Sequence, residues 1–342
     1  MSSQKLIKVD SEITTNLAKV PRSIESMEST GFSTATTTET SQDPFMPLLL
    51  AAEHSQQIEL MTSIAVAFAR TPMILANIAH DLNAYSQGRF ILGLGSQVRA
   101  HITQRFSMPW SHPAARMKEF ISAMRAIWAC WYEGEKLSFK GEFYNHSLMT
   151  PMFSPRNTEF GAPKVFLAAV GPKMTRTAAE VADGIIIHPF TTKRYLEEVT
   201  LPNIKEGLAE SGRSREDFEI SYPGFMVTGY DEVSFDKAKK AARNRIAFYG
   251  STPAYRGVLE IEGWGDLQYE LNRLSKQGEW DAMGELITDE MLDAFAVVEE
   301  PENLATSFRN RYADLIDRTT VNIRTPDEPT LVRLVEKMKS GK

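Results

Sequence analysis

The chain has 342 residues, 42% of them hydrophobic and 24% charged, with a formal net charge of −6. That balance describes a soluble globular protein with apolar residues enough for a sizeable core, and the negative sign argues against a general nucleic-acid or membrane-surface role. A single cysteine, Cys130, excludes an intrachain disulfide and a cysteine-built metal cluster.

The amino terminus, Met1 to Lys5, lacks the apolar core of a signal peptide, and the longest purely apolar run, Ile64 to Ala69, is far too short to cross a bilayer. The expected location is the cytoplasm.

In chain order, Lys5 to Ile13 alternates loosely and reads as a first strand. Residues 15–30 place Leu17, Val20, Ile24 and Met27 three or four apart and stop at Gly31, an amphipathic helix that Pro21 threatens to break. Phe32 to Thr38 is threonine-rich and β-prone. Asp43-Pro44 opens a helix to about Ser55, with an acidic cap and a first-turn proline. Ile58 to Ala67 is strongly β-like, and Thr71-Pro72 opens a helix to Ser86 on the same logic. Arg89 to Gln97 then gives a short apolar run closed by Gly93 and Gly95, the pattern of a strand buried on both faces. Glycines at its carboxyl end let a backbone or a ligand approach closely.

The alternation then pauses. Residues 98–112 form a mixed loop, and Pro113 to Trp131 is a helix with Met117, Phe120, Ile121, Met124, Trp128 and Trp131 on one face. A piece punctuated by Gly and Asn follows, with a hairpin around Lys140-Gly141. Strands at Lys164–Val170 and Ile185–His188 flank a helix from Gly171-Pro172 to Ala182, and Tyr195 to Ser211 is helical. Phe218 to Thr228 reads as a strand and Phe235 to Phe248 as its helix. A helical excursion from Gly250 to about Arg318 precedes a last strand, Thr320 to Arg324, and a closing helix, Glu328 to Met338.

Eight βα units are what a (β/α)8 TIM barrel needs, so the expected fold is α/β: one domain over 1–342, with helical insertions after strand 4 (about 98–160) and strand 7 (about 250–318). A doubly wound sheet is the structural alternative.

The sequence has no phosphate-binding loop, His-Glu-x-x-His, Gly-x-Ser-x-Gly or Cys-x-x-Cys motif, and its six histidines show no metal spacing. Gly93-Leu94-Gly95 begins like a dinucleotide fingerprint, but Val98 stands where the third glycine belongs. His101 and His188 each lie just past a strand's carboxyl end, where barrel active sites are assembled. Cys130, between tryptophans on a helix, reads as buried and inert. Trp110, Trp264 and Trp280 fall in the insertions and suit either a lid over the mouth or simple packing.

Two stretches are more specific. Thr71-Pro72, Ala79-His80-Asp81-Leu82-Asn83 and Ser86 to Gly95 form the first, and Val165 to Pro172 followed by Ala182-Asp183-Gly184 the second. Together they resemble the bacterial luciferase-like monooxygenase superfamily over nearly the whole chain. Thr62 to Phe68 and Gln104 to Trp110 resemble its branch of oxidoreductases that use coenzyme F420, an 8-hydroxy-5-deazaflavin. The resemblance implies a barrel, usually homodimeric, with the deazaflavin at the carboxyl ends of the strands.

It also implies site residues. The Ser63–Ile64 bond matches a non-proline cis peptide that makes a bulge behind the ring, with Ile64 on the ring face. Glu39 matches an acidic position after strand two, and His101 a cofactor-contacting asparagine after strand four. Ala168, Ala169 and Gly171 match backbone beside the cofactor's side chain. Lys173 and Arg176, in the first turn and a half of the helix opened by Gly171-Pro172, offer positive charge to its anionic tail, as free amides at a helix start do. His188 completes the cofactor-binding set.

Relatives that oxidise a sugar phosphate carry a glutamate and a histidine where Val98 and Thr40 stand here, so that reaction is not implied. Gly95 occupies about the place of luciferase's reactive cysteine, so neither is light emission. The expected activity is hydride transfer between reduced F420 and a small organic substrate, with Glu39 or His101 delivering the accompanying proton. The alternatives are an FMN-dependent monooxygenase acting with oxygen and a non-catalytic flavin-binding relative.

Overall fold

The computed structural model describes residues 5–341. Eight strands form a closed parallel ring: β1 (Lys8–Glu12), β2 (Thr34–Thr37), β3 (Glu59–Thr62), β4 (Phe90–Gly95), β5 (Lys164–Ala169), β6 (Gly184–Ile187), β7 (Glu219–Ser221) and β8 (Arg318–Thr320). Each pairs with the next and β8 returns to β1, with Lys8 opposite Arg318. The fold is the TIM barrel, and no described helix is long and apolar enough to cross a membrane.

The outer layer is α1 (Val20–Thr30), α2 (Phe45–Glu53), α3 (Pro72–Tyr85), α4 (Pro113–Tyr132), α5 (Pro172–Val181), α6 (Leu201–Glu210), α8 (Pro301–Tyr312) and α9 (Glu328–Ser340), with α7 (Glu232–Gly250) in the second insertion. Local chemistry sets the helix starts. Asp43 accepts from the Phe45 amide at 2.8 Å, and Thr71 from the Ile74 amide at 3.3 Å. Pro21 sits in the first turn of α1, where its missing N–H costs nothing, so it begins that helix instead of breaking it.

Met61, Ile91, Phe166 and Ile186 fill the barrel interior. Below them the amino ends of the strands hold a charge cluster. Arg318, fully buried, reaches Glu59 and Glu219 at 2.8 Å each and Asp10 at 3.5 Å. Lys8 bridges Glu59 and Glu219, and Lys164 reaches Glu219 at 2.7 Å.

Four expectations need correction. The last strand begins at Arg318, two residues before the expected Thr320, because the arginine's charge is neutralised inside the barrel; pairing ends soon after, with the Val321 amide on the Asp10 carbonyl at 2.8 Å. The expected strand 218–228 is two: after β7, Phe225–Val227 turns away to pair with Ala296–Val298. The helix at 235–248 belongs to that excursion. Ala242, Ile246 and Ala247 of α7 join a second apolar cluster with Phe190, Phe225 and Phe295, whereas Leu304, Ala305 and Phe308 of α8 join the main core. Cys130 is half-buried, not buried. The hairpin is present, Phe139–Lys140 against Asn145–His146.

Candidate active site

The mouth of the barrel is built around a break in the third strand. β3 ends at Thr62, the Ser63–Ile64 peptide is cis, and the chain resumes extended at Ala65–Val66, now opposite Leu94 and Gly95. Hydrogen bonds from the end of the second strand hold both sides of that bond. The Ser63 amide donates to the Thr37 carbonyl at 2.6 Å, Thr38 Oγ1 to the Ser63 carbonyl at 3.2 Å, and the Glu39 amide to the Ile64 carbonyl at 3.2 Å.

The glycines of β4 leave room for this bulge. A Cβ on Gly93 would lie 1.8 Å from the Thr62 carbonyl oxygen, and one on Gly95 would lie 2.9 Å from two carbons of the Ile64 side chain. Thr62 Oγ1 donates to the Gly93 carbonyl at 2.7 Å, closing the contact. The close approach that the Gly-x-Gly run allowed is thus made by the Thr62 backbone at Gly93 and by the Ile64 side chain at Gly95.

Glu39 is buried and committed to the same feature. Its Oε2 accepts from the Val66 amide and from Arg70 Nη1, both at 2.7 Å. Arg70 also pairs with Asp43 at 3.3 Å and lies over the Phe45 ring, so it is fixed from three sides. The carboxylate clamps the resumed strand onto the end of β2.

At the end of β5, Ala169 is buried, Ala168 half-buried, and Gly171 adopts φ +76°, which favours glycine. α5 starts at the next residue with no side chain capping it, so its first-turn amides remain without a side-chain acceptor. Lys173, in that turn, is exposed. Arg176 is not its companion: it pairs with Glu206 at 2.8 Å and Asn203 at 3.2 Å, both on α6.

His101 is exposed and opens a π-helical turn, His101–Arg105, in the first insertion. Arg105, at the other end, donates to the Thr40 carbonyl, so the insertion reaches across to the end of β2. His188 stands one residue past the Ala169–Ile187 pair of β5 and β6. Its Nδ1 accepts from the Phe190 amide at 3.1 Å, which leaves Nε2 as the protonated nitrogen. Its ring lies 4.6 Å from Tyr249 and 4.7 Å from Tyr255, centroid to centroid. Burial pushes this imidazole down to about 4, so it is neutral near pH 7.

The mouth therefore gathers Ser63, Ile64 and Glu39 on one side and Ala168, Ala169, Gly171, Lys173 and His188 on the other, with His101 on the insertion. Arg176 is turned to the outer layer. Sequence reasoning missed Arg70, whose only signal was its place after the apolar run, and Tyr249 and Tyr255, which a count of aromatics in an insertion cannot aim.

A family profile described as luciferase-like monooxygenase matches residues 4–319. An uncharacterised protein of Mycobacterium tuberculosis is 55% identical over 318 residues, 93% of this chain and 94% of its own. The 5,10-methylenetetrahydromethanopterin reductase of Archaeoglobus fulgidus is 29% identical over 265 residues, 75% of this chain and 74% of its own. Among solved structures, a coenzyme F420-dependent tetrahydromethanopterin reductase from Methanopyrus kandleri superposes with a TM-score of 0.78 at 21% identity, covering 98% of each chain. The extent of the profile match settles the relationship: this chain belongs to the luciferase-like monooxygenase family.

Proposed function

We propose that the protein is an oxidoreductase that uses coenzyme F420, seated at the mouth of the barrel. The observation that carries this reading is the bulge at Ser63–Ile64: strand four carries glycine at both positions that face it, and Glu39 and Arg70 clamp it. Such a bulge gives a flat ring a firm backing without placing charge against it. The choice of a deazaflavin over FMN rests on a further relative, a putative coenzyme F420-dependent oxidoreductase of Mycobacterium tuberculosis, 28% identical over 298 residues.

The residues fit the group. Ser63, Ile64 and the Ala168–Gly171 backbone would hold its ring and side chain. The uncapped start of α5 and the exposed Lys173 suit an anionic tail, since helix-start amides and a nearby cation both favour negative charge. When bound in reduced form, the deazaflavin supplies a hydride.

The chain's own residues position and shield. The bulge fixes one face of the seat, which restricts substrate to the opposite face. Glu39 acts by holding the bulge, because its Oε2 is already shared by an amide and a guanidinium. To His101, exposed at the start of the turn in the first insertion, we assign proton exchange with a substrate and solvent.

The test is a side-by-side titration of purified protein with F420 and FMN, followed by coenzyme fluorescence. F420 should bind at least about tenfold more tightly than FMN. Tight binding of FMN alone, with oxygen uptake on reduction, would transfer the assignment to the monooxygenase reading.

A further inference from the structure

Beside the ring seat lies a second group of residues: His188, which the resemblance assigned to the cofactor, and two tyrosines it left unassigned. His188, Tyr249 and Tyr255 form a partly open aromatic corner where the second insertion meets the end of β6. We infer that this corner is the substrate subsite, and that it takes an uncharged organic molecule with a flat apolar body and one oxygen acceptor, rejecting carboxylated or phosphorylated ones. The inference rests on the proposed use of F420 only for the identity of the neighbouring seat.

Three observations carry it. The corner is held in place from below: Tyr222, following β7, donates its hydroxyl to the Thr191 carbonyl at 2.8 Å, and a Cβ on Gly250 would lie 3.4 Å from the Phe190 ring. Its faces are π surfaces, which favour flat apolar groups. Its polar edge includes a neutral imidazole whose Nδ1 accepts from the Phe190 amide, leaving Nε2–H to donate beside the hydroxyls of Tyr249 and Tyr255.

Three of the cations nearby are already paired. Lys193 pairs with Glu197 at 3.6 Å, Arg194 with Glu198 at 2.9 Å and Arg256 with Glu260 at 2.6 Å, each one turn along its own helix. An anion entering the corner would lose its hydration and find the cations beside His188 and Tyr255 already paired, with the exposed Arg245, a turn before Tyr249, left without an ion pair among the described residues, an unfavourable exchange. A ketone or aldehyde oxygen loses little and gains the Nε2–H bond.

The experiment uses a matched fluorescent pair, 2-acetonaphthone and 2-naphthoate, which share the flat body and differ in charge. Equilibrium binding is measured on the protein with and without F420. The ketone should bind at least about tenfold more tightly than the carboxylate. His188→Phe, which keeps a ring and removes the donor, should abolish most of that preference; His188→Gln, which keeps an N–H, should restore part of it. Tyr255→Ala should weaken both probes.

Equal or tighter binding of the naphthoate, binding of neither probe, or an unchanged preference in the folded His188→Phe protein overturns the inference. Should His188→Phe fail to fold, Tyr255→Ala and His188→Gln carry the decision. F420 affinity is read separately. Loss of F420 binding with the ketone preference intact would remove the cofactor reading and leave the subsite, and the reverse result would remove only the subsite.

Discussion

The two ends of the barrel treat charge in opposite ways. At the amino ends of the strands, Arg318 sits among Asp10, Glu59 and Glu219, with Lys8 and Lys164 at the edge, so nearly every charge there is answered by another. At the carboxyl ends, Glu39 and Arg70 are spent on a backbone bulge, while an uncapped helix start, an exposed lysine and a neutral histidine keep capacity for something else. In such barrels the active site sits at the carboxyl ends of the strands, and the amino-end face serves stability. On the proposed reading, the lower half of this molecule is scaffold and the upper half is site.

The comparison breaks first at the bottom. Arg318→Ala would leave three carboxylates facing each other in a site where the arginine is fully buried, and should cost about 3–5 kcal/mol in chemical denaturation, with little specific effect on cofactor affinity in whatever remains folded. A cost under about 1 kcal/mol would mean the cluster is not a structural keystone.

Gly93→Ala attacks the join between the halves. The added methyl has no room beside the Thr62 carbonyl, so the backbone must shift, at a cost near the upper end of about 1–3 kcal/mol for overpacking. Unlike the arginine change, it should also abolish F420 binding, because the bulge moves. Glu39→Gln keeps the shape and weakens the grip on Arg70. We expect about a tenfold loss in F420 affinity with a small change in melting temperature.

Acid separates the ends by sign. Burial raises the Asp10 carboxyl to about 6 against the pull of Arg318, so the folded state binds a proton there before the unfolded chain does, and this group adds stability as pH falls from about 6 toward 3.8. Burial lowers His188 from 6.5 to about 4, so its contribution is present above 6.5 and is lost as pH falls toward 4. Denaturation at pH 7 and pH 5 should show Asp10→Asn losing ground to the wild type on acidification, and His188→Phe gaining it, each on the order of 1–2 kcal/mol. Shifts of the same sign would contradict the contrast. The smallest effect is expected from Lys173→Ala, a few-fold loss of F420 affinity that shrinks as salt is raised.

How much of this was legible beforehand follows from what each element rests on. The barrel order came from apolar runs alternating with capped helices, and runs such as Phe90–Gly95 carry that signal whatever surrounds them. Arg318 hid the start of the last strand, because a charged residue inside a barrel is intelligible only with its three partners in view. Phe218 to Thr228 read as one strand since nothing local marks Tyr222–Gly224 as the turn between two sheets. At the candidate site, Glu39, Ser63 and Ile64 are proposed through family likeness, and Gly93 and Gly95 stand out through their type. Arg176 fell on the wrong side of its helix, since a position in the first turn and a half does not state which way the side chain leaves it. Tyr249 and Tyr255 come from an insertion whose packing no periodicity encodes.

The central claim is that the bulge backs the cofactor, and Ile64→Ala tests it most directly. Ile64 is half-buried at the mouth, so its truncation should leave the fold intact by thermal melting. F420 titration should then give measurable binding for the wild type and at least about a tenfold weaker constant for the variant. Equal affinities in two equally stable proteins would place the coenzyme elsewhere and contradict the account.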